Sequence, residues 1–570
     1  MTPACTASLP PNGATGAKTR SDAVLAAIIL GALASRVVVA MLPFRTLLNF
    51  NFMPDDAFYY ADIARNIIAG KGVTYDRLAD TNGFHPLYLV LTLPLYAAFG
   101  KFAALHAALV FSAFCDAATT WLIWRISRRL TGRRDASLAA AAFFALHPLF
   151  MSLTINGLET ALSLLAVAAT FAAFIEWRSE MTARRAAVFG ALCGLMMLSR
   201  TDNVLLFWVY LTALASAGRG ATRASAPLVA GLAASAVVAP WLLWNYAKFG
   251  EIMQVSARAS PWVIHRQFEL TEGAAGKSAA AHSLACLAEE LSGKTLKFTG
   301  FNKGAIALIA LALILPRFLP RDDRGKYRRA FGLVSILVIF IIVLVAVHAG
   351  IRWFMMAWYF APVALASSLL TGCVISLLAD LIARRKSASA NAHRAAGNPG
   401  GGKFVLVAGI ILVLFSPYYA WGNFTVRNAV WLELAEFVKS RTPPEARIGA
   451  FNSGAIGYFC DRQTVNLDAV VNNEAFRALT EGRFIEYVRD AKIDYIADEA
   501  NFFSRFDIVS NGRLMPCLDT VSEKTIERNP QKADRTATLR ICRVLPIDGC
   551  SRPIEPHAPS MRPQQDDGRR

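Results

Sequence analysis

This chain has little charge. Only 18% of its 570 residues are Asp, Glu, Lys or Arg, whereas 55% are hydrophobic, a balance that soluble domains do not carry. Acid is scarcer than base, with 41 Asp and Glu against 59 Lys and Arg and a net charge of +18. That excess would suit nucleic acid if it lay on one face, but apolar runs of membrane length separate the basic residues, which argues against that partner. None of the nine cysteines has a zinc-type spacing. No internal repeat stands out, as inverted repeats do in many transporters. No small-residue cleavage site follows the first apolar run, and Arg36 within it suits an anchored helix better than a removed signal peptide. The composition that remains is that of an α-helical polytopic membrane protein.

Its basic clusters act as topology signals. They lie at Lys18–Arg20, Arg125–Arg134, Arg178–Arg185, Arg219–Arg223, Arg317–Arg329 and Arg384–Arg394, and the positive-inside rule puts all of them in the cytoplasm. Stretches long enough to cross, roughly 17 to 25 residues, fall near 23–43, 102–124, 135–153, 159–177, 186–200, 203–218, 226–244, 302–316, 330–350, 354–382 and 403–421. About eleven crossings leave a cytoplasmic tail at 1–22, a membrane module at 23–421 and everything beyond Trp421 outside. The segment His85 to Gly100 is apolar but short and interrupted by Pro86 and Pro94. It is read as a partly inserted helix within an external loop at 44–101, because a full crossing there would turn every later basic cluster outward.

With this topology the polar residues that break apolar sequence share the outer side: Asp55, Asp56, His85, Asn156, Glu159, Arg200, Asp202, Asn245, Tyr246 and Arg352. Residues at span ends are wet in any case. The outer ends nonetheless carry a mixture of acids, bases and amides, while the cytoplasmic ends carry mainly Lys and Arg, so a substrate site on the outer face is expected. Adjacent carboxylates at a bilayer lip repel each other and cost solvation, which points to chemistry rather than packing.

A polar, Gly-rich stretch at 387–402 reads as a flexible cytoplasmic linker before the last span. Beyond it, 422–548 changes to short alternating patterns, with strands expected at 446–451, 464–467 and 495–497 and helices at 431–439 and 484–491. That alternation implies a C-terminal extracytoplasmic α/β domain. The tail at 549–570 reads as disordered. Cys115, Cys193 and Cys373 lie in spans as small apolar residues, whereas Cys460, Cys517, Cys542 and Cys550 fall in the external domain. Of the three pairings open to those four, Cys517 with Cys542 is expected, each beside a predicted strand.

The sequence Asp-Asp-Ala-Phe-Tyr-Tyr-Ala-Asp-Ile-Ala-Arg-Asn-Ile-Ile-Ala-Gly-Lys-Gly (55–72), followed by Thr-Asn-Gly-Phe-His-Pro-Leu-Tyr (81–88), resembles the first external loop of the GT-C superfamily. These are polytopic glycosyltransferases that use polyprenyl-phosphate sugars, and the likeness is to bacterial relatives of protein mannosyltransferases, aminoarabinose transferases and terminal arabinofuranosyltransferases. Asn-Gly-Leu-Glu-Thr (156–160), Ser-Arg-Thr-Asp (199–202), Pro-Trp-Leu-Leu-Trp-Asn-Tyr (240–246), Ser-Gly-Ala-Ile-Gly-Tyr-Phe (453–459) and Val-Asn-Leu-Asp-Ala-Val-Val-Asn (465–472) resemble later stations of the same group. Mannosyltransferase relatives often have Asp-Glu where this chain has Asp-Asp.

The resemblance implies transfer of a sugar from a polyprenyl-phosphate donor, within membrane lipid, to a glycan, lipid or protein acceptor, with inversion, at the extracytoplasmic face of the inner membrane. Such transfer needs a base for the acceptor's proton and positive charge for the departing phosphate. Asp55 is assigned as base with Asp56 orienting the acceptor, or the two exchanged, and Asp55 as a helix N-cap after Pro54 is the plainer account. Tyr59 and Tyr60 wall the pocket. His85, Arg258 and Arg352 are assigned to the donor phosphate, against a structural histidine and two arginines reaching for headgroups. Glu159, Arg200 and Asp202 are placed around the acceptor, and Arg36 pairs with an acid or reaches outward. No cofactor is assigned, although the acid pair leaves room for a divalent cation. A transporter or flippase of a lipid-linked sugar, and a non-catalytic GT-C relative acting as a scaffold, are the competing readings.

Overall fold

A computed structural model describes residues 13–50, 52–217, 222–351, 355–389, 430–527, 536–546, 548 and 550. The chain divides into two units, the first comprising Met1–Ile68, His85–Ile252 and Ala280–Val426. Among its described residues six helices are long and apolar enough to cross a membrane: Asp22–Ala40, Lys101–Thr131, Thr160–Trp177, Ser225–Phe249, Asp323–Gly350 and Ala357–Arg384. The pair Arg134–Leu146 and Pro148–Thr154, bent by 63°, makes a seventh if counted as one span. Pro148 follows the break, where it cannot donate the backbone hydrogen bond that a continuous helix needs. Of the remaining expected crossings, Ala183–Ser199, Val204–Ala217 and Gly304–Ile314 are helices of 17, 14 and 11 residues. The expected crossing at 403–421, nearly all of the linker at 387–402 and most of the tail at 549–570 lie outside the described residues.

Close packing in this unit depends on small residues. A Cβ on Gly190 would sit 2.2 Å from the Ala230 carbonyl oxygen and one on Gly194 2.6 Å from Val237 Cβ. Glycine there lets Ala183–Ser199 approach Thr222–Phe249 at backbone distance, as small residues do between helices in lipid. Arg36, fully buried, pairs with the Asp116 carboxylate on Lys101–Thr131 and donates to the Ala145 carbonyl at 2.6 Å. The partner of Arg36 is therefore Asp116, not one of the acids of the expected site, and the side chain does not reach outward. The segment after His85 forms a helix of 13 residues, Pro86–Ala98, about 20 Å long at 1.5 Å per residue and too short for a hydrocarbon core of about 30 Å.

The second unit comprises Ala69–Phe84, Met253–Ala279 and Arg427–Arg570 as far as described. Its five strands are β1 (Arg447–Ala450), β2 (Gln463–Asn466), β3 (Tyr495–Glu499), β4 (Leu518–Glu527) and β5 (Thr536–Val544), in the order β2-β1-β3-β5-β4. β1 pairs in parallel with β2 and β3, while β5 runs antiparallel to β3 and β4. Helices Ser453–Phe459, Asn473–Thr480, Phe484–Asp490 and Ala500–Val509 connect them, as parallel strands require. The edge strand β4 is mostly exposed and carries Asp519, Glu523, Lys524 and Glu527, charges that discourage further pairing.

This unit is not the contiguous tail that the composition suggests. Segment 69–84 is bound into it: Tyr75 donates to the Ser453 carbonyl at 2.6 Å, Gln463 to that of Asp76 at 2.8 Å, and Asn472 to the Asp76 carboxylate at 3.2 Å. Asn82 accepts from the Val255 N–H and from Asn473, both at 3.0 Å. A Cβ on Gly83 would lie 2.1 Å from the Val470 carbonyl oxygen, so only glycine permits that approach.

The expected Cys517–Cys542 bridge is corrected: Cys517 bonds Cys550, and Cys542 is a buried free thiol. Ladder register explains this. Cys542 sits within β5 opposite Ile496 and Thr520, whereas the Cys517 carbonyl accepts from the Leu545 N–H at 2.9 Å. Cys517 therefore meets the chain beyond β5, close to Cys550 in sequence. With a sequence separation of 33, chain entropy assigns the bridge about 3–4 kcal/mol. Peptide mapping should recover 517 joined to 550, and reduction should lower the unfolding free energy of this unit by that amount; a 517–542 peptide would contradict the register.

Candidate active site

The acid pair begins a helix. Pro54 precedes Asp55, the Ala57 and Phe58 amides bond the Pro54 and Asp55 carbonyls, and the helix runs over Asp56–Ile68 with Ala57, Phe58, Tyr59, Tyr60 and Ala61 buried. Asp55 is buried and accepts a hydrogen bond from Tyr59 at 3.0 Å. Asp56, one residue on, has its side chain open to solvent. Surrounding protein atoms and the charges of Asp55 and then Glu159 push its carboxyl up to about 7. Solvent access moderates the desolvation, and the two neighbouring carboxylates act in the same direction.

Glu159 is the hub of the cluster. Its backbone position is set by a loop in which Leu158 N–H bonds the Asn156 side chain at 3.0 Å and Gly157 adopts φ +75°. A Cβ on Gly157 would be 3.0 Å from Ala57 Cβ and 3.3 Å from Met53 Cε, so this glycine is required both for its turn and for the contact with the acid helix. Tyr60 donates to Glu159 Oε2 at 2.8 Å and accepts the His85 N–H at 3.1 Å. One hydroxyl thereby joins the acid helix, the loop before Thr160–Trp177 and the start of Pro86–Ala98. Tyr88 packs edge-on against Tyr60 at 4.9 Å and donates to the Gly157 carbonyl at 3.0 Å.

Arg200 ends the helix Ala183–Ser199 with extended backbone. It donates to Glu159 Oε1 at 2.6 Å and, through two nitrogens, to Asp202 at 2.9 and 3.2 Å. Burial alone would raise the Asp202 carboxyl, but the Arg200 guanidinium overrides it and holds Asp202 below its ordinary value. Tyr359 covers the guanidinium at 4.4 Å, and His348 packs edge-on against Tyr359 at 5.0 Å. Thr160, Ser163 and Asn203 line a small cavity with Arg200, Asp202 and Tyr359. His85 Nε2 lies 3.7 Å from Glu159 Oε1, beyond hydrogen-bond reach. Burial lowers the His85 pKa, with Glu159 opposing, so the ring is neutral near neutral pH.

Asp55, Asp56, Tyr59, Tyr60, His85, Glu159, Arg200 and Asp202 thus belong to one unit, and hydrogen bonds link Tyr60, His85, Glu159, Arg200 and Asp202. Arg258 belongs to the second unit, its guanidinium 5.2 Å from the Phe476 ring. Arg352 lies outside the described residues. Sequence reading missed Tyr359 and His348, which pack over Arg200 in turn. Among the described residues no group of three or more His, Cys, Asp or Glu is arranged to hold a metal ion.

Removing Arg200 leaves Glu159 and Asp202 buried without their cation. Arg200→Ala should destabilise the first unit by about 3–5 kcal/mol, read as thermal unfolding in detergent, and Arg200→Lys should recover only part because it loses the two-pronged contact to Asp202. Full recovery by Lys would refute that geometry.

Over residues 85–244 the chain matches the family model described as dolichyl-phosphate-mannose-protein mannosyltransferase, and over 421–539 one described as a domain of unknown function, DUF8728. No curated protein matches the chain. Among solved structures, the arabinofuranosyltransferase AftD from Mycobacteria, determined by single-particle cryo-electron microscopy, is similar at 14% identity with a TM-score of 0.42. The likeness covers 91% of this chain and 40% of that one, so the chain spans two fifths of that protein's length. His85, Glu159, Arg200 and Asp202 all fall within the segment 85–244 that matches the mannosyltransferase model, and that match supports the resemblance of this segment to the GT-C superfamily.

Proposed function

We propose that this membrane protein is a glycosyltransferase that moves a sugar from a polyprenyl-phosphate donor to a hydroxyl of a cell-envelope glycan, lipid or protein, with inversion, at the extracytoplasmic face of the inner membrane. The observation that carries this reading is the asymmetry of the acid pair. Asp55 is buried and bonded to Tyr59, whereas Asp56 is open to solvent with its carboxyl raised to about 7. A general base serves best when its pKa lies near the working pH. Of the two assignments the sequence leaves open, we take Asp56 as the base, its carboxyl raised by burial first and then by the charges of Asp55 and Glu159.

In the proposed step the Asp56 carboxylate takes the acceptor hydroxyl's proton as the oxygen bonds the anomeric carbon. The bond from that carbon to the phosphate oxygen breaks, and polyprenyl phosphate leaves on the opposite face, so configuration inverts. Arg200 is committed to Glu159 and Asp202 and serves to fix the cluster. Arg352 is the cation proposed for the departing phosphate, with neutral His85 offering a hydrogen bond.

The sign of the Asp56 shift gives a paired expectation. A raised carboxyl pKa means that the folded state disfavours the ionised form, so stability falls as pH rises from the ordinary 3.8 through about 7. Asp56→Asn should therefore unfold no earlier than the parent at pH 8, yet transfer from a mass-tagged lipid-linked sugar should drop about 10² to 10⁴-fold. Near-normal turnover by Asp56→Asn, or a product that keeps the donor's configuration, would overturn the assignment, and movement of the lipid-linked sugar without turnover would favour a transporter.

A further inference from the structure

At one end of the first unit several helix ends converge on a single carboxylate. Asp380 accepts from Arg133 at 3.0 Å, Lys326 at 3.3 Å and the Tyr327 hydroxyl at 2.6 Å, and Tyr327 is also 2.8 Å from Ser376. Arg133 lies just past the C-terminus of Lys101–Thr131, Lys326 and Tyr327 lie in the first turns of Arg321–Gly350, and Asp380 is on Ala361–Ser389. Asp135 and Asp323 are engaged too, by Arg133 and Arg384. Base outnumbers acid at this end, and the surplus is left over. Arg129, Arg317, Arg321 and Arg328 are exposed and make no ion pair among the described residues.

Apolar surface adjoins that surplus. Leu313, Ile314 and Phe318 are 67%, 47% and 71% exposed, on the helix Gly304–Ile314 and the 3-10 turn Leu315–Phe318 that carries Arg317 and leads into Arg321. Beneath, Leu319, Tyr327 and Leu377 pack into a small core, so the turn is supported from inside. Guanidinium groups without an ion pair among the described residues, one on this supported turn and two on the helix that follows, with exposed apolar side chains at the turn, match a ligand that has an anionic phosphate at one end and hydrocarbon at the other.

We infer that this end of the bundle, around Arg317, Arg321 and Arg328, is a binding site for an anionic phospholipid. The guanidinium groups bond the phosphodiester, and Leu313, Ile314 and Phe318 take the acyl chains. A free phosphate has no use for the apolar half. The site is separate from the acid cluster, and its occupancy does not depend on glycosyl transfer.

The test is native mass spectrometry of the full chain in detergent, titrated with phosphatidylglycerol and, separately, phosphatidylcholine, alongside thermal unfolding. Phosphatidylglycerol should be retained and raise the unfolding temperature, and phosphatidylcholine should do neither. Each of Arg317→Gln, Arg321→Gln and Arg328→Gln should weaken retention about fivefold and the three together about 10²-fold, with lipid-free unfolding unchanged. Neutralising Arg178, Arg184 and Arg185 instead should leave retention intact. Equal losses from both sets would mean general surface charge and overturn the site, as would equal retention of phosphatidylcholine or equal protection by inorganic phosphate. If the triple variant fails to fold, single Arg317→Gln decides, since unchanged retention there is equally fatal.

Discussion

The cluster depends on the Glu159 carboxylate. It is buried, and a buried charge survives only when paired and hydrogen-bonded. Arg200 supplies the charge and Tyr60 the hydrogen bond. Those two contacts reach the end of Ala183–Ser199 and the face of Asp56–Ile68, so one carboxylate fixes the spacing of three helices. Such an arrangement contributes little net stability over an apolar one. Its effect is positional, since each partner is held by directional bonds that allow one geometry.

Position matters because several carboxylates crowd this cluster. Glu159 and Asp202 share the Arg200 guanidinium, and Asp55 and Asp56 stand at the start of the neighbouring helix. Burial first, and then the charges of Asp55 and Glu159, raise the Asp56 carboxyl to about 7. An anionic donor needs positive charge at the departing phosphate, which is the role proposed for Arg352. Charges are paired closely elsewhere in this unit too, around Asp380 and between Arg36 and Asp116.

Features encoded in local pattern were legible in the sequence. Apolar length located Asp22–Ala40 and Asp323–Gly350, and alternation located β1, β2, β3 and Phe484–Asp490 to within a few residues. The motifs around 156–160 and 199–202 pointed separately to Glu159, Arg200 and Asp202, which the fold joins. Features that depend on distant partners were not legible. Tyr359 becomes significant only once it is seen over Arg200, and nothing in its own neighbourhood marks it. The pairing of Cys517 is set by the β4–β5 register, and the place of 69–84 in the second unit by the fit of Gly83 against Val470. Neither leaves a periodic signal. Short apolar runs such as 304–314 are ambiguous for the same reason, because periodicity alone does not separate a crossing from a buried or interfacial helix.

The pH dependence of transfer, compared between the parent and Asp55→Asn, tests the coupling of the two acids most directly. If Asp56 is the base and Asp55 raises its pKa, transfer by the parent should climb through a midpoint near 7, and removing the Asp55 charge should move that midpoint to lower pH. A midpoint that stays in place in Asp55→Asn, or transfer that does not vary with pH across that range, would contradict that coupling.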